Sequence, residues 1–124
     1  MAGLTLDAGA LIAYERGDER LREILAVAYA RGLVPTIPAI ALAEVWRGDP
    51  KDARVARLLK ACSIEPVDER LAREAGRLRR TTPGAGAIDA CIAAGVNKRG
   101  DAIATSDTND MRRLLGPGFT ILAV

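Results

Sequence analysis

Histidine is absent from this sequence, and cysteine and aromatic residues are scarce. The 124 residues include no His, two Cys, one Trp, two Tyr and one Phe. Without histidine, Ser-His-Asp and Cys-His catalysis, histidine general bases and histidine-containing zinc sites are excluded. Cys62 and Cys91 are too few and too far apart for a zinc site, and their apolar neighbours predict buried free thiols. Any catalysis must therefore depend on carboxylates, lysine, hydroxyls or a bound metal.

Long apolar runs are also missing. The longest falls well short of a membrane span, and the start, MAGLTLDAG, lacks the basic region and apolar core of a signal peptide. Apolar residues make up 49% and charged residues 27% of the chain, and its net charge of +2 does not by itself indicate nucleic-acid binding. We expect one globular, cytoplasmic domain over residues 1–124, with a core mainly of Ala, Leu, Ile and Val.

Short apolar segments alternate with segments of helical periodicity. Strands are predicted at 4–6, 33–37, 62–67, 102–105 and 119–124. Helices are predicted at 8–14, 19–30, 39–47, 50–61, 69–80, 87–98 and around 111–115. Pro35 indicates that the second strand lies at an edge or starts irregularly, and Pro38 is predicted to open the next helix. This alternation predicts an α/β fold with a mostly parallel sheet flanked by helices.

Two aspartates stand where predicted strands end and helices begin. Asp7 follows the first strand, and Asp107 follows the strand 102–105. In open parallel sheets, ligands bind beyond the carboxyl ends of the strands, so both positions are typical of a binding site. Ser, Thr, Asp and Asn are also the usual N-cap residues, so helix capping by Asp7, and by Asp107 or Thr108, stays open as the alternative.

Two further acids interrupt the apolar faces of predicted helices. Glu44 lies one turn after Ile40, and Asp89 lies between Ile88 and Ile92. Both are therefore predicted to point towards the sheet. A buried carboxylate without a partner costs several kcal/mol, so each acid must be paired, protonated or bound to a metal.

All four acids converge at one edge of the sheet if the two strands are parallel and central. One or two hard divalent cations, Mg²⁺ or Mn²⁺, would neutralise such a cluster. Its natural reaction is phosphodiester hydrolysis, in which metal activates water and stabilises charge on the phosphate. In the alternative, Asp7 and Asp107 cap helices while Glu44 and Asp89 pair with arginines. Spacing alone leaves both interpretations open.

Four segments in a fixed order carry a family resemblance. They are LTLDAGALIA around Asp7, AIALAEVWRG around Glu44, GAIDACIAA around Asp89, and ATSDTNDM around Asp107 and Asp110. Together they closely resemble the PIN domain, and within it the VapC-type toxin ribonucleases. The resemblance implies helices around a parallel sheet and an endoribonuclease dependent on Mg²⁺ or Mn²⁺. It also implies a homodimer that a VapB-type antitoxin neutralises.

The same resemblance assigns roles by position. The acidic catalytic set is Asp7, Glu44, Asp89 and Asp107. The metal ligands within it are Asp7, Asp89 and Asp107, and Glu44 would hold the metal through water or orient the nucleophile. Asp110 would be an auxiliary acid, and Thr105 or Ser106 the hydroxyl near the fourth acid. Ala8 stands where many members have Ser or Thr, so we expect altered geometry or weaker metal affinity rather than loss of the site.

Four arginines are candidates for contacting RNA phosphates near the mouth of the site. They are Arg16, Arg47, Arg112 and Arg113. Phosphate contacts of this kind give affinity without sequence readout, although for each arginine solvation or pairing with an acid is the simpler expectation. Trp46 could stack on a base, but a core or dimer-interface position is favoured.

Other functional classes fit less well. A non-catalytic interaction module, which binds a partner protein or RNA without cleavage, is the main alternative, and Ala8 supports it. A nuclease of DNA flaps would need elements for which the chain has little room. A haloacid-dehalogenase-type phosphatase is disfavoured because Gly9, not a second Asp, lies two residues after Asp7. No GxGxxG follows the first strand, which disfavours dinucleotide binding.

Overall fold

The computed structural model describes residues 2–124 and is built around one five-stranded sheet. The strands are β1 (Leu4–Leu6), β2 (Thr36–Pro38), β3 (Ser63–Glu65), β4 (Ala102–Thr105) and β5 (Ile121–Ala123). The α-helices are α1 (Ala8–Glu15), α2 (Glu19–Ala30), α3 (Ala39–Val45), α4 (Ala53–Leu59), α5 (Glu69–Thr81), α6 (Ala87–Arg99) and α7 (Thr108–Leu115). Among the described residues, no helix is both long and apolar enough to cross a membrane.

Every strand pairing is parallel, and the strand order is β3-β2-β1-β4-β5. β1 is central and pairs with β4, with Leu6 opposite Ala104, so β4 extends one residue, Thr105, beyond the end of β1. Asp7 follows directly, and its N–H donates to the Ala104 carbonyl at 3.3 Å. The predicted α/β class is confirmed. The register brings the starts of α1 and α7 side by side at the carboxyl edge of the sheet.

Alternation along the central strands sends side chains into two cores. Leu4 and Leu6 are buried on one face, in a cluster with residues of α1, α2 and α4. Ile103, opposite Thr5 in the register, is buried on the other face with residues of α5, α6 and α7. Helix α6 runs through this second core, and its residues 90–96 are all buried. Side chains on every side of α6 therefore stabilise the fold.

A buried polar network ties the end of α6 to the sheet. The Thr5 hydroxyl donates to Asp101 Oδ2 at 2.8 Å, and Arg99 Nε donates to the same oxygen at 2.9 Å. Arg99 also donates to Thr5 Oγ1 and forms an ion pair with Glu65 on β3. Arg99 thus pairs with two acids, Glu65 on β3 and Asp101 directly before β4. Either carboxylate would be costly to bury without this partner.

Prolines account for the differences between the structure and the predicted strand 33–37. Pro35 has no N–H to donate, and β2 begins only at Thr36. The prediction that this strand lies at an edge of the sheet is wrong, because β2 lies between β1 and β3. The alternative prediction, an irregular start of the strand, is correct. Pro38 precedes a helix that begins at Ala39, as predicted, since it is the N-cap of α3. It is also the last residue of β2, so the strand ends one residue later than the predicted 37.

The predicted helices 39–47 and 50–61 are shorter in the structure. Helix α3 ends at Val45, and Trp46 follows in extended backbone with 45% of its surface exposed, so its prediction as a core residue is wrong. Pro50–Asp52 form a 3₁₀ turn before α4. Of the two free thiols, Cys91 is buried as predicted, whereas Cys62 is only half-buried.

Candidate metal centre

Asp7 is the buried member of the acidic set, with 5% of its surface exposed. It is the N-cap of α1, and its Oδ1 accepts the Ala10 N–H at 3.0 Å, so the capping interpretation is correct for this residue. Burial raises the pKa of Asp7, the Thr105 side chain and backbone N–H groups lower it, and the charge of Asp107 raises it again. One carboxylate oxygen is held by the helix, which fixes how the group faces the other acids.

Asp107 occupies the N-cap position of α7, but its side chain makes no capping hydrogen bond. Instead its backbone N–H donates to Thr105 Oγ1 at 2.9 Å. The Asp107 carboxylate is thus not held by a capping hydrogen bond as the Asp7 carboxylate is. Burial raises its pKa, as do the side chain and charge of Asp110 and then the charge of Asp89, while the Asp110 backbone N–H lowers it. The two aspartates of the SDTND segment thus face each other across the first turn of α7.

Asp89 and Glu44 reach the same place from two other helices. Asp89 lies in the first turn of α6 and is half-buried, and its neighbour Ile88 is 38% exposed. Glu44 lies near the end of α3 and is exposed, so the prediction that it points into the sheet is wrong. Burial, then Asp89 and then Asp7 raise the pKa of Glu44. The side chain therefore lies close enough to the other carboxylates to feel their charge.

The acids form one cluster. Carboxylate oxygens of Asp89, Asp107 and Asp110 all lie within 4.8 Å of one another. Burial raises the pKa of Asp89, and the charges of Asp110 and Asp7 raise it further. Asp7 and Glu44 lie outside this group of three but near enough for charges of the cluster to raise their pKa values. Of the four acids predicted to converge, Asp89 and Asp107 thus lie in one close group with Asp110, and Asp7 and Glu44 lie beside it.

Positive charge is almost missing from this cluster. Within residues 2–124, Lys and Arg side chains form no ion pair with Asp7, Glu44, Asp89 or Asp107. Asp110 has one distant partner, Arg113, at 3.8 Å. The alternative in which Glu44 and Asp89 pair with arginines is thus wrong. An all-carboxylate donor set of this kind fits a hard divalent cation such as Mg²⁺ or Mn²⁺.

Comparison with protein families identifies this architecture. A model of the PIN domain matches residues 4–115, which is most of the chain. The chain belongs to the PIN domain family. The family predicted from the four sequence segments is therefore confirmed, and the matched range contains all five acids of the cluster.

Solved structures share the fold of this PIN domain. A chain of VapBC2 from Rickettsia felis, bound to a DNA fragment from its promoter, has a TM-score of 0.78 and 15% identity, with 98% of each chain covered. A chain of DNA-bound VapBC from Salmonella typhimurium has a TM-score of 0.74 and 23% identity, with 98% of this chain and 97% of that chain covered. A chain of a toxin–antitoxin complex from Klebsiella pneumoniae has a TM-score of 0.76 and 20% identity, with 97% of this chain and 96% of that chain covered. None of the curated proteins compared with the chain matches its sequence.

Gly9 positions the site of this PIN domain, although sequence reasoning used it only to argue against a phosphatase. A Cβ built on Gly9 would lie 2.1 Å from Ser106 Oγ, 2.8 Å from Ser106 Cβ and 2.9 Å from its backbone N. The start of α1 can therefore approach the β4–α7 junction only because residue 9 has no side chain. The signal in the sequence was a glycine directly after Asp7-Ala8, inside an apolar helix.

The two candidate hydroxyls occupy different environments. Thr105 is fully buried, and its Oγ1 links the backbone of Asp107 to the side chain of Asp7. Ser106 is exposed and packs against Gly9. Thr105 thus fixes the relative positions of two acids, whereas the Ser106 hydroxyl is available to a ligand.

Three of the four candidate arginines are engaged in holding the fold. Arg47 pairs with Glu15 at 2.9 Å and with Asp52 at 3.5 Å. Arg112 donates to the carbonyls of Gly116 and Phe119 at 2.7 and 2.8 Å. Arg113 donates to the Pro83 carbonyl and faces Asp110. Arg16 is exposed, and its guanidinium forms no ion pair with a described residue.

Proposed function

We propose that this PIN domain is a metal-dependent endoribonuclease that acts as the toxin of a VapBC-type toxin–antitoxin pair. The observation that carries the proposal is the cluster of five carboxylates at the carboxyl ends of β1 and β4, four of which have no ion-pair partner among residues 2–124. A chain selected for stability alone would pair or remove such charges, since like charges at close range oppose folding.

Asp7, Asp89 and Asp107 are the residues that would hold Mg²⁺ or Mn²⁺, with Asp110 as an auxiliary acid. Glu44 would act through water or orient the nucleophile, in line with its exposed position. When bound, the divalent cation would polarise the scissile phosphate and lower the pKa of a water. The oxygen-only donor set supports both metals equally.

The protein residues contribute positioning and charge. The Ala10 N–H holds Asp7, and Thr105 holds the Asp107 backbone, so two acids are already oriented in the folded chain. The uncompensated cluster repels an RNA phosphate until its charge is neutralised. We therefore expect both RNA binding at the site and cleavage to require the cation.

The partner and assembly are part of the same proposal. The fold shared with VapBC and other toxin–antitoxin complexes supports a VapB-type antitoxin as the cognate partner in the cytoplasm. The family resemblance supports a homodimer. Trp46 is exposed on the surface near α3 and is the aromatic side chain that we assign to such an interface.

RNA cleavage by the purified chain, freed of any copurifying partner, tests the activity. We expect cleavage with Mg²⁺ or Mn²⁺, none with EDTA, and none by Asp7→Asn or Asp89→Asn variants that keep a cooperative unfolding transition. If the folded wild-type chain cleaves no RNA with either metal, the endoribonuclease is refuted. RNA or protein binding without cleavage would then favour the non-catalytic interaction module.

A further inference from the structure

A cleft of about 430 Å³ opens beside the metal centre, between α1 and the junction of β4 with α7. Gly9, two residues after Asp7, lies in its wall, and Ser106, the residue before Asp107, lies opposite. The cleft and the acidic cluster therefore share the same two strand–helix junctions. A strand of RNA whose phosphate reaches the acids must leave the cluster past one of its sides, and this cleft is one of them.

One face of α1 forms the floor of the cleft. Gly9, Ile12, Ala13 and Arg16 all line it, and these positions follow the helical repeat. Ile12 is 37% exposed and gives the floor an apolar side chain. Gly9 and Arg16 are separated by about 10 Å along the helix axis. That length corresponds to roughly three stacked nucleotides at about 3.4 Å each.

The cleft offers one cationic side chain to a phosphate. Arg16 and Asp18 are the two charged side chains that line it. Asp18 keeps its negative charge, but its Oδ1 accepts the Leu21 N–H at 2.9 Å, which holds this carboxylate at the start of α2. Arg16 is the C-cap of α1. Within residues 2–124 its guanidinium makes neither an ion pair, as those of Arg47 and Arg113 do, nor hydrogen bonds to carbonyls, as that of Arg112 does. Side chains on a helix lean towards its N-terminus, which here is the end that carries the acids.

We propose that this cleft is the binding subsite for the RNA nucleotide next to the scissile phosphate. Arg16 binds its phosphate, Ser106 offers a hydroxyl to the phosphate or the ribose, and Ile12 packs against the ribose or base. This proposal rests on the proposed endoribonuclease function. It adds that the RNA leaves the acidic cluster on the side where α1 faces the β4–α7 junction. Contacts to phosphate and sugar of this kind give affinity and register but no base readout.

The test compares Arg16→Gln with Arg73→Gln in the full-length chain. Arg73 lies on α5, on the opposite face of the sheet, with 73% of its side chain exposed, so the control removes one positive charge far from the cleft. With a short single-stranded RNA of mixed sequence, we expect Arg16→Gln to raise KM about tenfold and change kcat by less than about twofold. The logarithm of kcat/KM should also fall less steeply with the logarithm of salt concentration, by about 0.7. Arg73→Gln should change neither.

Ile12→Ala probes the apolar floor independently of charge. We expect weaker RNA binding with an unchanged salt dependence. Equal effects of Arg16→Gln and Arg73→Gln would overturn the subsite, because they would indicate only a general effect of net charge. A fall in kcat at constant KM would also overturn it, since that pattern indicates a structural role for Arg16.

Fluorescence anisotropy of the same RNA with Mg²⁺ separates this proposal from the proposed function. If the wild type cleaves RNA but Arg16→Gln binds and cleaves it normally, the subsite alone is wrong. If the wild type does not cleave but binds RNA through Arg16, the nuclease is wrong, and of our proposal only RNA binding in the cleft holds, without a scissile phosphate beside it. Normal RNA binding by Arg16→Gln with loss of neutralisation by the antitoxin would assign the cleft to a protein partner and refute our proposal.

Discussion

Replacing Gly9 by alanine tests how the metal centre is held together. The new Cβ would lie 2.1 Å from Ser106 Oγ, and a change of side-chain rotamer could relieve that contact. It would also lie 2.9 Å from the Ser106 backbone N, where ordinary contacts begin at 3.4 Å. The start of α1 and the β4–α7 junction must therefore separate by about 0.5 Å. Asp7 moves with one of these segments and Asp107 with the other.

Two effects follow from this separation. Overpacking of this kind costs about 1–3 kcal/mol of stability. Because a misplacement of about 1 Å can cost about a hundredfold in rate, a shift of half that size should lower cleavage on the order of tenfold. We expect Gly9→Ala to lower the melting temperature and to reduce kcat while changing KM little, because the RNA contacts proposed for Arg16 would remain.

Gly76→Ala is the matched control. Gly76 lies within α5 and has no atom within 4 Å of its hypothetical Cβ, so alanine should stabilise the helix by about 0.5–1 kcal/mol without changing cleavage. The double variant Gly9→Ala/Ser106→Gly removes the two side-chain contacts but keeps the backbone contact, and should recover part of the activity. Full activity and an unchanged melting temperature in Gly9→Ala would refute this reasoning.

Four further predictions concern the acidic cluster and the buried Arg99 network. Asp89→Asn should abolish cleavage yet raise the melting temperature in EDTA, because one charge leaves a repelling cluster. Four carboxyls of the cluster have raised pKa values in the fold, so the folded state binds more protons than the unfolded state, and stability in EDTA should fall as pH rises through those values. Ala8→Ser should lower the Mn²⁺ concentration that gives half-maximal cleavage. Arg99→Met should destabilise the fold by about 3 kcal/mol in urea, because it leaves Glu65 and Asp101 unpaired.

Each of these predictions has a result that contradicts it. For the pH dependence, that result is a stability in EDTA that stays constant or rises as pH rises. A melting temperature of Asp89→Asn in EDTA below that of the wild type would mean that Asp89 stabilises the fold. If Ala8→Ser does not change the Mn²⁺ dependence of cleavage, the missing hydroxyl at residue 8 does not weaken metal binding. If Arg99→Met lowers the free energy of unfolding by less than about 1 kcal/mol, the ion pairs of Arg99 with Glu65 and Asp101 contribute no more than exposed ion pairs do.

The sequence predicts local structure well where one physical signal acts alone. Asp7, Asp18 and Asp68 each stand at the start of a periodic segment, and each accepts a backbone N–H in the folded chain. The strands of the sheet appear as short apolar runs, and their order along the chain requires parallel crossovers. Errors arise where two signals compete, as at Pro38, where the signal for a helix start is correct but hides that the same residue still belongs to the strand.

Contacts between distant residues are what the sequence does not predict. Spacing predicts that Glu44 lies on an apolar face of its helix, but in the structure this residue is exposed and close to the other acids. The role of Gly9 depends on Ser106, which lies 97 residues later and meets it only because β1 and β4 pair in one register. Hydrophobic periodicity describes one helix or strand at a time, so it does not predict contacts between residues of different elements.

Buried acids outside the candidate metal centre have partners that compensate their negative charge. Burial acts to raise the pKa of Asp52, but three backbone N–H groups and Arg47 outweigh it, and the pKa is lowered. Asp101 receives a hydroxyl and the guanidinium of Arg99. Asp7 is buried to the same degree as Asp101, yet its charged neighbours are other acids, and its pKa is raised. Since this fold neutralises acids that serve its structure, the uncompensated cluster indicates that positive charge is supplied from outside the chain.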